Sequence, residues 1–277
     1  MAPGPARSVF LVDQPAAARH AGLVGSLRER EREVAAVQEL LDSRGRMLLL
    51  EGRAGIGKTS LIEVACGRAA ELGFAVLRAR GSELESGFAF GVVRQLFERR
   101  LAGAGESERA GLLAGPAAAA RPLLAGEPAA PPADDSSLAV LHGLYWLVVN
   151  LAAGRPLLLA IDDAHWADEP SLRWLAYLAR RLDGLAAGAV VAVRPGDPAA
   201  LGAPLLAVRA EAAAVPHPAL LSEQAVRAVV CAAAGGEVSD ELGAAVYAAC
   251  GGNPLYLTEL LRAAERGGRP RRSPGCR

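Results

Sequence analysis

The chain has 277 residues, 52% of them hydrophobic, which is enough material for one large domain or for a medium domain and a small one. Its 30 basic and 30 acidic side chains give a formal net charge of zero, so the chain as a whole has no electrostatic attraction for nucleic acid or membranes. The four cysteines are scattered without a C-x-x-C pair, which argues against a zinc site or a disulfide framework.

The apolar runs are too short for a targeting or membrane-spanning segment. Near the N-terminus, the run Val9 to Val12 is shorter than the core of a signal peptide. No other run approaches the roughly 20 apolar residues needed to cross a bilayer. We therefore expect a cytoplasmic protein with no membrane partner. The first 22 residues are rich in Pro, Ala and Gly and are predicted to form a disordered lead-in.

Helical spacing alternates with short buried runs through most of the chain. Val34, Val37 and Leu41 recur among charges at helical spacing, and the apolar run at 47–50, bounded by turn residues, is typical of a buried parallel strand. The predicted elements are, in order, a helix over 29–41, a strand over 47–50, a helix over 58–72, a strand over 74–77, a helix over 90–101, a helix up to 151, a strand over 156–161, a helix over 171–182 and a strand over 189–193.

This alternation predicts an α/β fold, in which helices cover both faces of a parallel sheet. The predicted core spans 23–216 and is interrupted at 103–135 by a stretch rich in Ala, Gly and Pro, which indicates a mobile low-complexity insertion or linker. After Pro218 three helices follow without strands, so we expect a small helical lid over 217–265. The tail, 266–277, lacks apolar periodicity and is predicted to be disordered.

A complete G-x-x-x-x-G-K-T pattern lies between the first predicted strand and the helix after it. Its residues are Gly52, Arg53, Ala54, Gly55, Ile56, Gly57, Lys58, Thr59 and Ser60. Glycines allow consecutive backbone N–H groups to turn toward phosphate oxygens, and the start of the following helix presents its positive dipole end to the same anion. The pattern therefore predicts a P-loop that binds a nucleotide; the alternative is a glycine-rich turn with an exposed lysine.

Lys58 and Thr59 are the reactive members of this pattern. Lys58 is the only lysine in the chain, where arginine supplies all other positive side chains, and a P-loop lysine neutralises the β- and γ-phosphates. The hydroxyl of the P-loop threonine is a ligand of Mg²⁺. The sequence therefore predicts a nucleoside triphosphate and Mg²⁺ as cofactors, with Lys58 as a catalytic group and Thr59 as a metal ligand.

Two aspartates end the third predicted strand. In P-loop proteins a neighbouring strand supplies an acid to the magnesium shell, and we expect Asp162 to do this through a water molecule. Asp163 is then expected to orient or deprotonate the attacking water. The alternative is a plain strand-to-loop turn, in which aspartate is common. Arg194 ends the fourth predicted strand and is expected to stabilise the γ-phosphate charge, unless it is merely an exposed strand-end arginine.

Six stretches give the sequence its likeness to a known family. They read LREREREVAAVQELL, LLLEGRAGIGKTSL, RGSELESGFAFGVVRQLFE, LLLAIDDAHWADEPSLRWLAYLARRL, VVAVRPG and CGGNPLYLTELL. In order and spacing they resemble the AAA-related P-loop ATPases of the STAND class. More narrowly, they resemble the N-terminal ATPase module of the large ATP-binding LuxR-type transcriptional regulators of actinobacteria. The likeness covers residues 23–265.

The resemblance implies roles for residues outside the P-loop. Arg30, Glu31 and Glu33 match an acidic–basic box near the nucleotide base, and Arg194 matches a sensor arginine. Pro254 matches the proline of a glycine–proline motif in the helical lid, where it faces adenine. From the residues alone, the same GGNP segment is a helix stop followed by a proline in the first turn of a helix. The preference for ATP over GTP also comes from the resemblance.

The sequence departs from this family at two places. Ser26 and Leu27 follow Gly25 where the commoner pattern has an arginine directly after the glycine. Members of the family also continue into a helical sensor region and a C-terminal helix-turn-helix, whereas this chain stops at Arg277, as a truncated regulator would. We therefore expect DNA contact only through a domain absent from this chain. ATP or ADP, a second copy of the chain and a regulatory protein are the expected partners.

Three functions fit these observations. The first is a nucleotide-dependent regulatory switch that hydrolyses ATP slowly in the presence of Mg²⁺. The second is a small-molecule kinase built on the same P-loop, which the paired aspartates and the strand-end arginine fit less well. The third is an interaction module in which bound nucleotide stabilises the fold without being hydrolysed.

Overall fold

The computed structural model describes residues 27–125, 134–196 and 202–267, and the predicted lead-in and nearly all of the predicted disordered tail lie outside them. The strands are β1 (Met47–Glu51), β2 (Ala75–Arg80), β3 (Leu157–Asp162) and β4 (Ala187–Val193). The helices are α1 (Glu31–Ser43), α2 (Lys58–Glu71), α3 (Gly91–Ala102), α4 (Glu106–Leu112), α5 (Arg121–Leu124), α6 (Asp134–Gly154), α7 (Glu169–Ala179), α8 (Ala203–Ala210), α9 (Glu223–Ala234), α10 (Asp240–Cys250) and α11 (Pro254–Gly267).

The four strands form one parallel sheet in the order β1-β4-β3-β2. Beyond β1, the chain at 213–216 adds backbone bonds to the open edge: the Ala213 N–H donates to the Met47 carbonyl at 2.9 Å, and the Leu49 N–H donates to the Ala214 carbonyl at 3.0 Å. Helices cover both faces of the sheet. The predicted α/β fold with a parallel sheet is confirmed.

Side chains of each strand alternate between two apolar layers. In β3, Leu157, Leu159 and Ile161 belong to the larger layer, which includes residues of α3, α6 and α7. Leu158 and Ala160 belong to the smaller layer, formed with α1 and α2. This alternation is what a pleated strand buried on both faces produces, and it explains why the strands appear in the sequence as continuous apolar runs.

Asp168 joins the two helices α3 and α7 at their starts. Its buried carboxylate accepts hydrogen bonds from the N–H groups of Ser171 at 2.9 Å and Phe90 at 2.7 Å. The first bond caps α7, and the second fixes the residue that precedes α3. A buried carboxylate with several backbone donors is well stabilised, so this aspartate has a structural role.

The expectation of a mobile insertion over 103–135 is wrong for residues 103–125. This part forms α4, a 3₁₀ turn at Gly115–Ala120 and α5. The helix α4 and the 3₁₀ turn pack against α6, and α5 packs against α3. Ala117 and Ala120 are fully buried, and a side chain at Gly143 of α6 would come within 2.9 Å of the Ala120 nitrogen. The small residues that look like low complexity in the sequence therefore allow two segments to pack closely. Residues 126–133 lie outside the described part.

The helices α9, α10 and α11 form where three lid helices were predicted. They share an apolar cluster that is separate from the two layers of the sheet and contains Leu221, Val226, Val230, Cys250 and Leu257. Ser222 and Ser239 cap α9 and α10 through their hydroxyls. In the ranges that the structure describes, no helix has both the length and the apolar character required to cross a membrane.

Candidate functional site

The predicted P-loop connects the end of β1 to the start of α2. Gly55 and Gly57 have positive φ angles of 74° and 105°, which a residue with a side chain adopts only with strain. These two reversals curl the backbone around the start of α2. The first turn of a helix leaves the N–H groups of Lys58, Thr59 and Ser60 without partners inside the helix, so they are available to an anion in the loop.

Lys58 lies against the loop that it belongs to. Its ammonium donates hydrogen bonds to the carbonyls of Gly52 at 2.7 Å and Arg53 at 3.0 Å, and the residue is buried. Burial lowers the pKa of Lys58, while the negative charges of Asp163 and Asp162 act in the opposite direction. The cation is thus held within the loop and faces two carboxylates, as expected for a group that neutralises phosphate.

The two predicted metal ligands contact each other. The Thr59 hydroxyl donates to Oδ2 of Asp162 at 2.8 Å, although the two residues are 103 positions apart. A hydroxyl and a carboxylate are hard oxygen donors of the kind that Mg²⁺ prefers. Within the described residues, no group of three or more His, Cys, Asp or Glu side chains is placed to hold a metal ion. A cation here would therefore take its other ligands from phosphate and water, which fits Mg²⁺ bound together with a nucleotide.

Asp163 is held by an arginine that the sequence analysis did not identify. Arg80, the last residue of β2, donates from Nε at 3.0 Å and from Nη2 at 2.7 Å to the same carboxylate oxygen, Oδ2 of Asp163. This ion pair raises the pKa of Arg80. The side chain of Gln95 in α3 bonds both the N–H and the carbonyl of Arg80. The only signal for Arg80 in the sequence was its place at the end of β2. This strand pairs with β3, and Arg80 lies opposite Asp162, the last residue of β3.

An open cleft of about 510 Å³ lies beside Asp163. Arg80, Glu83, Gln95 and Trp166 contribute to its walls. The cleft lies on the side of Asp163 where its ion pair with Arg80 is found. A small molecule in this cleft would contact the carboxylate that is expected to act on water.

Arg194 follows the last residue of β4 and is exposed. Its positive charge lowers the pKa of Lys58, the smallest of the four influences on that group. Arg194 therefore lies at the same edge of the sheet as the P-loop. Its role as a sensor of the γ-phosphate stays a prediction.

Arg30 lies directly before α1 and is almost completely buried, with 1% of its surface exposed. Its guanidinium donates to the carbonyl of Ile56 in the P-loop at 3.2 Å and to the carbonyl of Ala219 before α9 at 2.6 Å. Burial lowers the pKa of Arg30. The sequence analysis expected Arg30 near the nucleotide base, and in the structure its polar atoms contact the backbone of the P-loop and of the chain leading to α9.

The start of α11 also contacts the P-loop. Pro254, the first residue of α11, is buried, and its neighbours on both sides bond to the loop. The side-chain amide of Asn253 donates to the Ala54 carbonyl at 3.1 Å, and the Leu255 N–H donates to the Gly55 carbonyl at 3.2 Å. These bonds place Pro254 beside the P-loop, while its contact with adenine stays a prediction.

Comparison with known protein families gives one match. Residues 26–193 match the AAA ATPase domain family, and the matched range runs from just before α1 to the end of β4. It includes the P-loop and both aspartates at the end of β3. No curated protein sequence matches the chain.

Solved structures of similar fold include replication initiators and a branch-migration motor. The ORC2 protein of Aeropyrum pernix, in ADPNP–ADP complexes, has a TM-score of 0.54 at 17% identity; the match covers 88% of this chain and 65% of ORC2. The replication initiator DnaA, bound to AMPPCP and single-stranded DNA, has a TM-score of 0.55 at 13% identity, with 87% and 63% coverage. The RuvB Holliday junction branch migration motor of Thermotoga maritima has a TM-score of 0.50 at 14% identity, with 86% and 62% coverage. This chain thus spans less than two thirds of each of these proteins, and at these identities the likeness concerns the fold.

Proposed function

Because this chain belongs to the AAA ATPase domain family, we propose that it binds ATP with Mg²⁺, hydrolyses it slowly and acts as a nucleotide-dependent switch. The observation that carries the proposal is the contact between Thr59 and Asp162 at 2.8 Å, beside the P-loop. It unites a hydroxyl and a carboxylate from two distant segments at the position where a phosphate-bound cation needs them. The ORC2 and DnaA structures contain nucleotide analogues, which supports the same conclusion.

Each residue of the site has its own role in the proposed reaction. The loop amides and Lys58 bind the phosphates, and Thr59 and Asp162 hold Mg²⁺, which supplies charge neutralisation for the transferred phosphoryl group. Asp163 accepts a proton from, or orients, the attacking water through Oδ1, since Oδ2 is engaged by Arg80. Arg80 acts as a positioning residue because it fixes the carboxylate.

The wider biological role is part of the same proposal. The resemblance to STAND-class LuxR-type regulators makes this chain the ATPase module of a cytoplasmic transcriptional regulator that contacts DNA through a separate domain. The module would respond to nucleotide by self-association or by binding a regulatory protein. Arg194 would sense the γ-phosphate and Pro254 would face the adenine.

Steady-state hydrolysis and nucleotide binding, measured on the same preparations, test the proposed activity. We expect the wild type to convert ATP slowly to ADP and phosphate. Asp163→Asn should abolish this turnover but leave ATP binding intact, because Asp163 acts on water whereas Asp162 holds the metal. Asp183→Asn is the matched control, since Asp183 lies in an exposed turn after α7, and it should leave turnover unchanged. Turnover that survives Asp163→Asn would contradict the assigned role, and binding without any turnover in the wild type would favour the non-hydrolysing module.

A second candidate is a small-molecule kinase, and the open cleft beside Asp163 is the observation that favours it. A kinase would use the cleft for a phosphoryl acceptor, and Asp163 would take the proton of an acceptor hydroxyl instead of water. Product analysis distinguishes the two activities. A switch releases inorganic phosphate from ATP in buffer alone, whereas a kinase makes ADP rapidly only when an acceptor is supplied and transfers the phosphoryl group to it.

A further inference from the structure

The backbone carbonyls of the P-loop are engaged by hydrogen-bond donors. Five consecutive residues, 52 to 56, each direct a carbonyl to a donor. The donor–acceptor pairs are Lys58 Nζ with Gly52 at 2.7 Å and with Arg53 at 3.0 Å, Asn253 Nδ2 with Ala54 at 3.1 Å, the Leu255 N–H with Gly55 at 3.2 Å, and Arg30 Nη2 with Ile56 at 3.2 Å.

Holding a carbonyl also orients the N–H group of the next residue. A trans peptide is planar, and its C=O and N–H point in opposite directions; the described residues contain no cis peptide. When Asn253 holds the Ala54 carbonyl on the outside of the loop, the Gly55 N–H turns to the other side. When Arg30 holds the Ile56 carbonyl, the Gly57 N–H turns likewise. The inner side of a P-loop is where phosphate oxygens accept these N–H groups.

Three of these donors come from outside the loop. Arg30 precedes α1, whereas Asn253 and Leu255 belong to the start of α11, about 200 positions away in the chain. The contact is close, because a Cβ atom added at Gly55 would lie 2.7 Å from the side-chain oxygen Oδ1 of Asn253 and 2.7 Å from Leu255 Cβ. The lid (helices α9 to α11) and the entrance segment (Glu29 and Arg30, directly before α1) thus hold the backbone of the phosphate-binding loop.

The entrance segment is tied to the lid at a second point. The Glu29 carboxylate accepts hydrogen bonds from the Ser222 N–H at 2.9 Å and from the Ser222 hydroxyl at 2.5 Å, and these bonds lower the pKa of Glu29. Ser222 is the capping residue of α9. Since Arg30 bonds both the P-loop and Ala219, the neighbouring residues Glu29 and Arg30 connect the loop to the chain that leads into the lid.

We propose that Asn253 and Arg30 are positioning residues that preorganise the P-loop for the phosphate chain, so that lid docking and phosphate binding stabilise each other. The proposal rests on the nucleotide binding proposed above and adds its regulation. Neither side chain needs to touch the nucleotide, because each acts through the backbone of the loop. Coupling of this kind is reciprocal: if docking of the lid raises the affinity of the loop for phosphate, bound phosphate stabilises the docked lid by the same free energy.

The variant Asn253→Ser separates this role from a contact with the base. Serine keeps a capping oxygen for α11 but is too short to donate to the Ala54 carbonyl. Loss of one such hydrogen bond should weaken binding about three- to tenfold. The loss should be the same for Mg²⁺–ATP and for Mg²⁺–tripolyphosphate, which has no base. Ser239→Ala is the matched control, because it removes a cap from α10 without touching the P-loop. It should leave both affinities unchanged.

Calorimetric titration of the full chain with both probes gives the affinities, and hydrogen exchange gives the reciprocal effect. Mg²⁺–ATP should slow exchange of the Leu255 N–H in the wild type and less so in Asn253→Ser. Should Asn253→Ser prove too unstable to purify, Arg30→Met offers an independent test: methionine keeps an unbranched side chain but has no donor for the carbonyls of Ile56 and Ala219, so both probes should again weaken equally.

The results distinguish this proposal from the proposed function. A wild type that binds neither ATP nor tripolyphosphate overturns both. A wild type that binds ATP, with Asn253→Ser unchanged or weakened for ATP alone, overturns only the positioning role, and the second result would assign Asn253 to the base. Binding of ATP without measurable binding of tripolyphosphate also contradicts the proposal, because a preorganised loop binds phosphate oxygens without a base. An equal loss of affinity in Ser239→Ala would also contradict the proposal, because the effect would then come from the general stability of the lid.

Discussion

Replacing Gly55 by alanine should separate the P-loop from the lid. Gly55 has a φ of 74°, and an added Cβ would lie 2.7 Å from both Asn253 Oδ1 and Leu255 Cβ. The second of these atoms is attached directly to the backbone of α11 and cannot rotate away. The start of α11 must therefore move, and the hydrogen bonds to the Ala54 and Gly55 carbonyls weaken or break.

The size of the effect follows from two contributions. A left-handed backbone costs an alanine about 1–2 kcal/mol, and each of the two lost hydrogen bonds is worth about 0.5–1.5 kcal/mol. If about half of this total of about 2–5 kcal/mol is expressed as lost affinity, Gly55→Ala raises the dissociation constant for Mg²⁺–ATP by about 5- to 70-fold. Exchange of lid amides should accelerate as well, because α11 loses its contact with the loop.

Gly184 provides the control for backbone strain. Its φ is 75°, close to that of Gly55, but an added Cβ would meet no atom within 4 Å. Gly184→Ala should therefore lower the melting temperature by the cost of strain alone and leave nucleotide affinity unchanged. Calorimetric titration and hydrogen exchange of both variants provide the comparison. Equal effects of the two substitutions on affinity, or no effect of Gly55→Ala, would refute the link between the lid and the loop.

Three further predictions concern the side chains of Lys58, Arg80 and Cys66. Lys58→Met should lower ATP affinity about 100-fold or more while changing the melting temperature little, since it removes the ammonium that faces phosphate; titration calorimetry and thermal melting check this, and retained affinity would contradict the assigned role. Arg80→Gln should lower kcat about tenfold with little change in ATP affinity, because Asp163 loses its orientation; it should change stability by less than about 1 kcal/mol, because the ion pair is largely exposed. An unchanged kcat would remove the positioning role of Arg80. Burial raises the pKa of the Cys66 thiol from 9.0 to about 11. Because the folded state holds this proton more tightly, its contribution to stability is complete below pH 9.0 and is lost toward pH 11; it amounts to at most about 2.7 kcal/mol. Denaturant unfolding across this range should show that loss in the wild type but not in Cys66→Ala, and parallel curves would refute it.

The sequence was sufficient to predict the parallel sheet and to indicate that the P-loop and the two aspartates lie at the same edge of it. A strand buried on both faces leaves a continuous apolar run, so β1, β3 and β4 were recognisable within about two residues. Asp162 and Asp163 follow such a run directly, which places them at the edge of the sheet where the P-loop also lies. In the structure, Thr59 and Asp162 are in contact at this edge.

Other features have no signature in a single sequence. Residues 103–125 were misjudged because alanines that pack closely against α6 have the same composition as a flexible linker. Arg80 could not be singled out among 29 arginines, since its importance comes from its register opposite Asp162.

The hydrogen bonds from Arg30 and Asn253 to the P-loop could not be predicted from the sequence either. Their acceptors are backbone carbonyls, which every residue possesses. The resemblance implied a place near the nucleotide for Arg30 and for the GGNP segment that contains Asn253, and in the structure both residues lie beside the P-loop. It did not indicate that they would contact the loop backbone, and only the three-dimensional structure shows this.

The central claim is that the P-loop of this chain binds a nucleoside triphosphate together with Mg²⁺. Titration calorimetry of the purified, folded chain with ATP, in the presence and absence of Mg²⁺, measures this directly, with Thr59→Val as the variant that lacks the metal-binding hydroxyl. The account predicts saturable binding that is tightened by Mg²⁺ in the wild type and is no longer tightened by Mg²⁺ in Thr59→Val. Absence of binding to ATP, ADP and GTP at millimolar concentrations would contradict it.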